Sequence, residues 1–149
     1  VVKKLNKNNK KVFFGGTFSG NSINTFVANK VINYILKNKR NIFEDLEKKS
    51  NFLEAELNNF FQEENYDAKC FRSFSMLRIV FTKKNVKNRF QRDFFEKRKN
   101  EKVNKFKKFL LSKNIYYPTN GIIFLARSTT FNDLKYLLKM IKIGFKKVF

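Results

Sequence analysis

Phe13-Phe14-Gly15-Gly16-Thr17-Phe18-Ser19-Gly20-Asn21 is a short apolar run that breaks into a glycine-rich turn. Val12-Phe13-Phe14 has the composition of a strand, and the paired glycines stop it. Glycines expose their backbone N–H groups without a Cβ in the way. Thr17 sets a hydroxyl beside them, and Asn21 or Ser22 can cap a helix starting just beyond. The first turn of such a helix carries partial positive charge. Amides, a hydroxyl and a helix N-terminus together suit a phosphate group. Taken alone, the same pattern also fits a plain turn.

Downstream, apolar residues recur at helical spacing over 23–37, with Ile23, Phe26, Val27, Val31, Tyr34 and Ile35 on one face. A second helix is predicted over 42–61, with an apolar stripe from Ile42 to Phe61 and with Glu47, Lys48, Glu54 and Glu56 opposite. Two strands follow, at 68–72 and 76–82, the second rich in Leu, Ile, Val and Phe. The stretch 83–113 is strongly basic, and Phe90, Phe94, Val103, Phe106, Phe109 and Leu110 give it a helical stripe read as core-facing. Pro118 and Asn120-Gly121 mark a turn before a short strand at 122–126. Tyr116 and Tyr117 alternate, so one should face the core and the other solvent or a cleft. Thr130 and Asp133 have the spacing of a capping box, and the closing helix carries Phe131, Leu134, Leu137, Leu138, Ile141 and Phe145. This order predicts an α+β domain with a small, mainly antiparallel sheet packed with helices.

The composition limits the chemistry. The 149 residues contain no His and a single Cys, Cys70, which reads as a small core residue. No His–Ser or His–Cys nucleophile pair can form, and a zinc site would need carboxylates alone. Catalysis therefore calls for a cofactor or for groups supplied from elsewhere. One Cys suits a reducing compartment, which points to the cytoplasm. No apolar run reaches the roughly 18 residues of a membrane span, so no membrane partner is expected. The net charge of +21 raises a polyanion partner. Lys, Asn, Phe and Ile are enriched together, as A- and T-rich codons would produce, so a nucleic-acid partner is the less favoured cause.

In that setting, the Gly-Gly-Thr turn followed by a long amphipathic helix resembles class III pyridoxal-phosphate-dependent aminotransferases. It is most similar to glutamate-1-semialdehyde aminomutases. Ser75-Met76 and the strand after it resemble the family's Gly-Ser-Met strand, with Phe74 in place of the glycine. Ile115-Tyr116-Tyr117-Pro118 resembles the segment leading to a Pro-rich turn near the active-site mouth. Phe124-Leu125-Ala126-Arg127-Ser128-Thr129-Thr130 resembles a stretch that usually reads Phe-Leu-Ser-Thr-Ala-His-Thr. The resemblance covers nearly the whole chain in order. Departures are Thr129 for the family's His, Ser22 for a Pro, and Gly121 where aminomutases usually carry a Glu.

The resemblance implies a fold-type I enzyme in which residues 1–21 end the large cofactor-binding domain and 22–149 form the small C-terminal domain. It implies a homodimer whose cofactor site is shared, with Gly16 and Thr17 reaching the pyridoxal 5'-phosphate of the other subunit. It also implies a small amino or keto substrate. The Schiff-base lysine lies N-terminal to the Gly-Gly-Thr segment in the family. Lys3, Lys4, Lys7, Lys10 and Lys11 lack the Gly-rich surroundings of that lysine, so the chain reads as a C-terminal fragment, inactive alone. Arg127, ending an apolar strand, is a candidate for a substrate carboxylate, with a surface ion pair as the competing reading. The competing function is a stand-alone basic module that binds nucleic acid.

Overall fold

The computed structural model describes Gly16 and residues 20–149. The strand expected at 12–14 lies outside the described residues. The chain divides into two compact units, the first ending at Lys39 and the second spanning Arg40–Phe149.

The first unit contributes helix α1, Ser22–Lys37. Asn21 is its N-cap, accepting from the amides of Ile23 at 3.0 Å and Asn24 at 3.3 Å through its side chain. Asn38 ends it, donating to the carbonyl of Tyr34 through both its backbone and its side-chain amide. No α1 residue is buried.

Helix α2, Lys39–Glu63, runs into the second unit and buries Ile42, Leu46, Leu53, Leu57, Phe60 and Phe61. It is followed by β1, Lys69–Ser73, and β2, Met76–Val80. Next come α3, Arg89–Glu96, a 3₁₀ turn at Lys97–Lys99, and α4, Asn100–Leu111. Strand β3, Ile122–Phe124, and α5, Phe131–Val148, complete the unit. The three strands form an antiparallel sheet in the order β1-β2-β3, with Cys70 opposite Ile79 and Leu77 opposite Ile123. The α+β class and the antiparallel sheet match the expectation from sequence.

The hairpin between β1 and β2 turns at Phe74, whose φ is +55°. A side chain tolerates this left-handed conformation poorly, and glycine takes it freely. Phe74 is held there by an edge-on ring contact with Phe43, centroids 5.3 Å apart.

Burial follows the period of each element. Leu77 and Ile79 of β2 face inward, each 1% exposed, and meet Leu53 and Leu57 of α2 together with Phe106 and Leu110 of α4 in one core. Leu134, Ile141 and Phe145 of α5 close that core. Phe145 touches the rings of Phe60, Phe61, Tyr66, Phe81, Phe106 and Phe149, at centroid distances of 4.7–6.3 Å. The sheet is also pinned to α2 by polar groups. Asn58 accepts from the Cys70 amide at 2.8 Å and donates to the Cys70 carbonyl at 3.0 Å. Cys70 is buried, as expected, and burial pushes its thiol up to about 12, with Glu54 adding to the effect.

The capping box at the start of α5 forms both ways. The Thr130 hydroxyl accepts from the Asp133 amide at 3.2 Å, and Asp133 accepts from the Thr130 amide at 2.8 Å. One expectation fails. The stripe over 83–113 splits: Phe106 and Leu110 are buried, but Phe90 is 85% exposed and Phe94 is 74% exposed. Their helix, α3, is a separate short element that docks through polar groups, Glu96 accepting from the Phe81 amide at 3.0 Å. The helical period expected across 83–113 is broken at the 3₁₀ turn.

Candidate functional site

Of the two residues expected to hold phosphate, Gly16 is described and Thr17 lies outside the described residues. Gly16 is exposed, with φ +142°, a conformation that side chains rarely adopt. Its main chain can therefore approach an anion closely. The helix N-terminus contributes less than the sequence suggested. The amides of Ile23 and Asn24 are already taken by Asn21. An anion at this end of α1 would compete with a formed cap.

Arg127 lies on the exposed segment after β3, and its carbonyl accepts from the buried ammonium of Lys49 at 3.0 Å. Lys49 also donates to Asp45 at 2.6 Å, so a buried cation fastens this segment to α2. Tyr117 is the inward residue of its pair, 6% exposed, and Tyr116 is 78% exposed.

A second set of groups was not singled out from sequence. A cleft of about 600 Å³ opens between β2, α3, α4 and the 117–122 turn. Arg78, Arg92, Glu96, Lys107 and Tyr117 line it, over an apolar floor that includes Ile79 and Val103. The Arg78 Nη1 donates to the Asn120 carbonyl. Its Nη2 stands 3.7 Å from Glu96. Arg92 lies 3.7 Å from Glu96 and donates to Asp93 at 2.6 Å. Two atoms at the cleft, Arg78 Nε and Tyr117 Oη, are buried with no hydrogen-bond partner among the described residues. Burial, and then the charge of Arg92, hold the Arg78 guanidinium below its ordinary value, with Glu96 opposing. Burial pushes the Tyr117 hydroxyl up, with Arg78 opposing. The signal was legible: Arg78 is the one charged residue in the apolar run of β2.

No group of three or more His, Cys, Asp or Glu among the described residues could hold a metal ion. No helix among them is long and apolar enough to cross a membrane.

An α1 helix followed by this helix-flanked three-stranded sheet is the fold of a section of aminotransferase-type chains. An omega-transaminase from Sphaerobacter thermophilus superposes with a TM-score of 0.73 at 15% identity, over 92% of this chain and 30% of its own. A glutamate-1-semialdehyde-aminomutase from Pseudomonas aeruginosa superposes with a TM-score of 0.76 at 12% identity, over 94% of this chain and 31% of its own. An adenosylmethionine-8-amino-7-oxononanoate aminotransferase from Methanocaldococcus jannaschii gives 0.61 at 20% identity, over 93% of this chain and 30% of its own. The chain thus spans about 30% of the length of each solved structure. No protein-family model matches the sequence, and no curated protein does. At these identities the likeness establishes the fold.

Proposed function

We propose that this chain is the C-terminal part of a pyridoxal-phosphate-dependent class III aminotransferase, of the glutamate-1-semialdehyde aminomutase type. On this reading residues 1–21 end the large domain, and residues 22–149 are the small domain. Gly16 offers a bare main-chain amide and Thr17 a hydroxyl to the cofactor phosphate bound by the opposite subunit of a homodimer. When bound, the cofactor supplies an electron sink through which an amino group moves. The residues of this chain contribute positioning: they hold the phosphate and close one side of the neighbour's site. The catalytic lysine is assigned to none of its residues, so the chain alone is expected not to transaminate.

The observation that carries the reading is the likeness to an aminomutase over 94% of this chain. The ordered run of sequence resemblances supports it independently. The K286A variant of that same Pseudomonas aeruginosa aminomutase has been solved in complex with PMP. The apolar face of α1 also fits a small domain whose first helix rests on the rest of an enzyme: Ile23, Phe26, Val27 and Val31 are 50–70% exposed.

In the complete dimer, Thr17→Ala should weaken pyridoxal phosphate binding roughly tenfold or more, the cost of one charge-assisted hydrogen bond. Cofactor affinity unchanged by that substitution removes the phosphate assignment.

A second reading is favoured by one observation. Phe90 and Phe94 are exposed on α3 beside Arg89, an arrangement that can stack unpaired bases. It requires the isolated chain to bind single-stranded RNA with a steep salt dependence. Absence of binding at physiological salt disposes of it.

A further inference from the structure

We propose that the cleft between β2, α3, α4 and the 117–122 turn is a binding site for a small organic acid, its carboxylate seated between Arg78 and Tyr117. The proposal rests on the second unit alone and stands whether or not the phosphate assignment above holds.

The guanidinium of Arg78 is oriented before any ligand arrives. Nη1 is fixed by the Asn120 carbonyl. That leaves the Nε–Nη2 edge, the side of the fork that pairs with a carboxylate through two parallel bonds. Nε has no partner among the described residues, and the carboxylate nearest Nη2, on Glu96, stands off at 3.7 Å. One oxygen of Glu96, Oε1, accepts from the Phe81 amide at 3.0 Å, and the other, Oε2, lies 3.7 Å from both Arg78 Nη2 and Arg92 Nε, so its charge is shared between two guanidinium groups.

Tyr117 supplies a third donor. It is 6% exposed, and its hydroxyl makes no hydrogen bond of ordinary geometry among the described residues, with the Ile79 amide the backbone group nearest in effect. The hydroxyl and the guanidinium both lie against Gly121. A Cβ placed on Gly121 would lie 3.3 Å from Tyr117 Oη and 3.7 Å from Arg78 Cζ. Gly121 has φ +70°, so side chains are excluded there by the backbone as well. No side chain at position 121 therefore comes between the two donors. Buried donors left without partners are costly, and they are rare where nothing binds.

Charge and shape select the ligand. Arg78, Arg89, Arg92 and Lys107 outnumber Asp93 and Glu96 along the cleft. Arg92 and Arg89 spend their charge largely on Asp93, at 2.6 and 3.4 Å. The remaining excess suits one or two negative charges. Ile79, Phe81, Val103 and Ile122 add apolar wall. A cleft of about 600 Å³ is larger than a bare ion needs. A carboxylate on a short hydrocarbon body meets both demands.

The test is a titration of the chain with pentanoate, glutarate, inorganic phosphate and 1-pentanol, followed by NMR at the arginine Nε–H groups. Pentanoate or glutarate should saturate a shift at Arg78, with 1-pentanol inert. Tyr117→Phe removes only an unpartnered hydroxyl, so the fold should persist, and affinity should fall about fivefold or more. Arg78→Lys keeps the charge but loses the fork, and should abolish saturation. Phosphate binding as well as the carboxylates do would keep the oxyanion seat but overturn the organic-acid assignment. No saturable shift, or equal affinity in a folded Tyr117→Phe variant, overturns the site itself.

Discussion

Helices α1 and α5 carry similar apolar stripes and meet opposite fates. In α5, Leu134, Ile141 and Phe145 are 0–1% exposed. In α1, Ile23 is 70% exposed and Phe26 63% exposed. Both stripes repeat at the helical period, and both helices have a side-chain N-cap. The difference teaches that periodicity specifies a helix and the existence of a cover, but not which chain segment provides it. For α5 the cover is the sheet with α2 and α4. In α1 no residue is buried. Burying even three of its large apolar side chains would contribute on the order of 5 kcal/mol. That is why the small-domain reading gives this face to the rest of an enzyme.

The largest effect should separate the two helices directly. Phe145→Ala removes a ring that six other aromatic rings touch. It should cost about 3–5 kcal/mol of unfolding free energy in urea denaturation. Phe26→Ala in the same chain should change it by less than about 0.5 kcal/mol, as exposed substitutions do. A comparable loss from both would mean that the α1 stripe is covered in solution. In a complete dimer the cost of Phe26→Ala should rise, and that rise would measure the cover.

Capping gives a smaller contrast. Thr130→Ala breaks a reciprocal box at the start of a packed helix and should cost about 1 kcal/mol of global stability. Asn21→Ala breaks an equally well-formed cap on α1. It should lower helical circular dichroism while leaving the main unfolding transition in place, because α1 contributes nothing buried to the core. The acid side of the same box is testable by pH. The Thr130 amide, and then its hydroxyl, hold the Asp133 carboxyl below the usual carboxylate range. A depressed folded-state value means the contribution is full above the ordinary range near pH 4 and fades as pH falls through the lower folded value. The difference in stability between the wild type and Asp133→Asn should therefore shrink as pH drops below about 4. A gap that stays constant would mean the carboxylate contributes as a neutral acceptor would.

Much of the fold was legible because local rules and packing agree. The stripe from Ile42 to Phe61, the alternation in β2 and the Thr130–Asp133 spacing each name their own partner geometry. The stripe of 83–113 misled because spacings of three and four within each helix were joined across the nine positions from Phe94 to Val103, where a continuous helical period puts the two sets on opposite sides. Only tertiary docking through Glu96 shows that Phe90 faces outward. At the site, the glycine pair reads as an anion loop from sequence, and of that pair Gly16 is exposed with φ +142°. The saturation of the helix amides by Asn21 was not legible, since a capping residue and an anion make the same sequence signal. Arg78 and Tyr117 lie 39 positions apart and share a cleft only because β2 and the 117–122 turn are brought together. No spacing rule joins them.

The smallest effect concerns Phe74, and it tests why packed and unpacked regions tolerate different sequences. At φ +55° this residue carries backbone strain of about 1–2 kcal/mol, offset by its ring contact with Phe43. An edge-on aromatic pair contributes about 0.5–1.5 kcal/mol. Phe74→Gly loses the contact and relieves the strain, so its net effect should stay within about 1 kcal/mol of zero. In a Phe43→Ala background the contact is already gone, and the same substitution should become stabilising. Such strain persists only where neighbours fix the chain, as they do at this hairpin and do not along α1. An identical effect of Phe74→Gly in both backgrounds would show that the ring contact does not hold the turn.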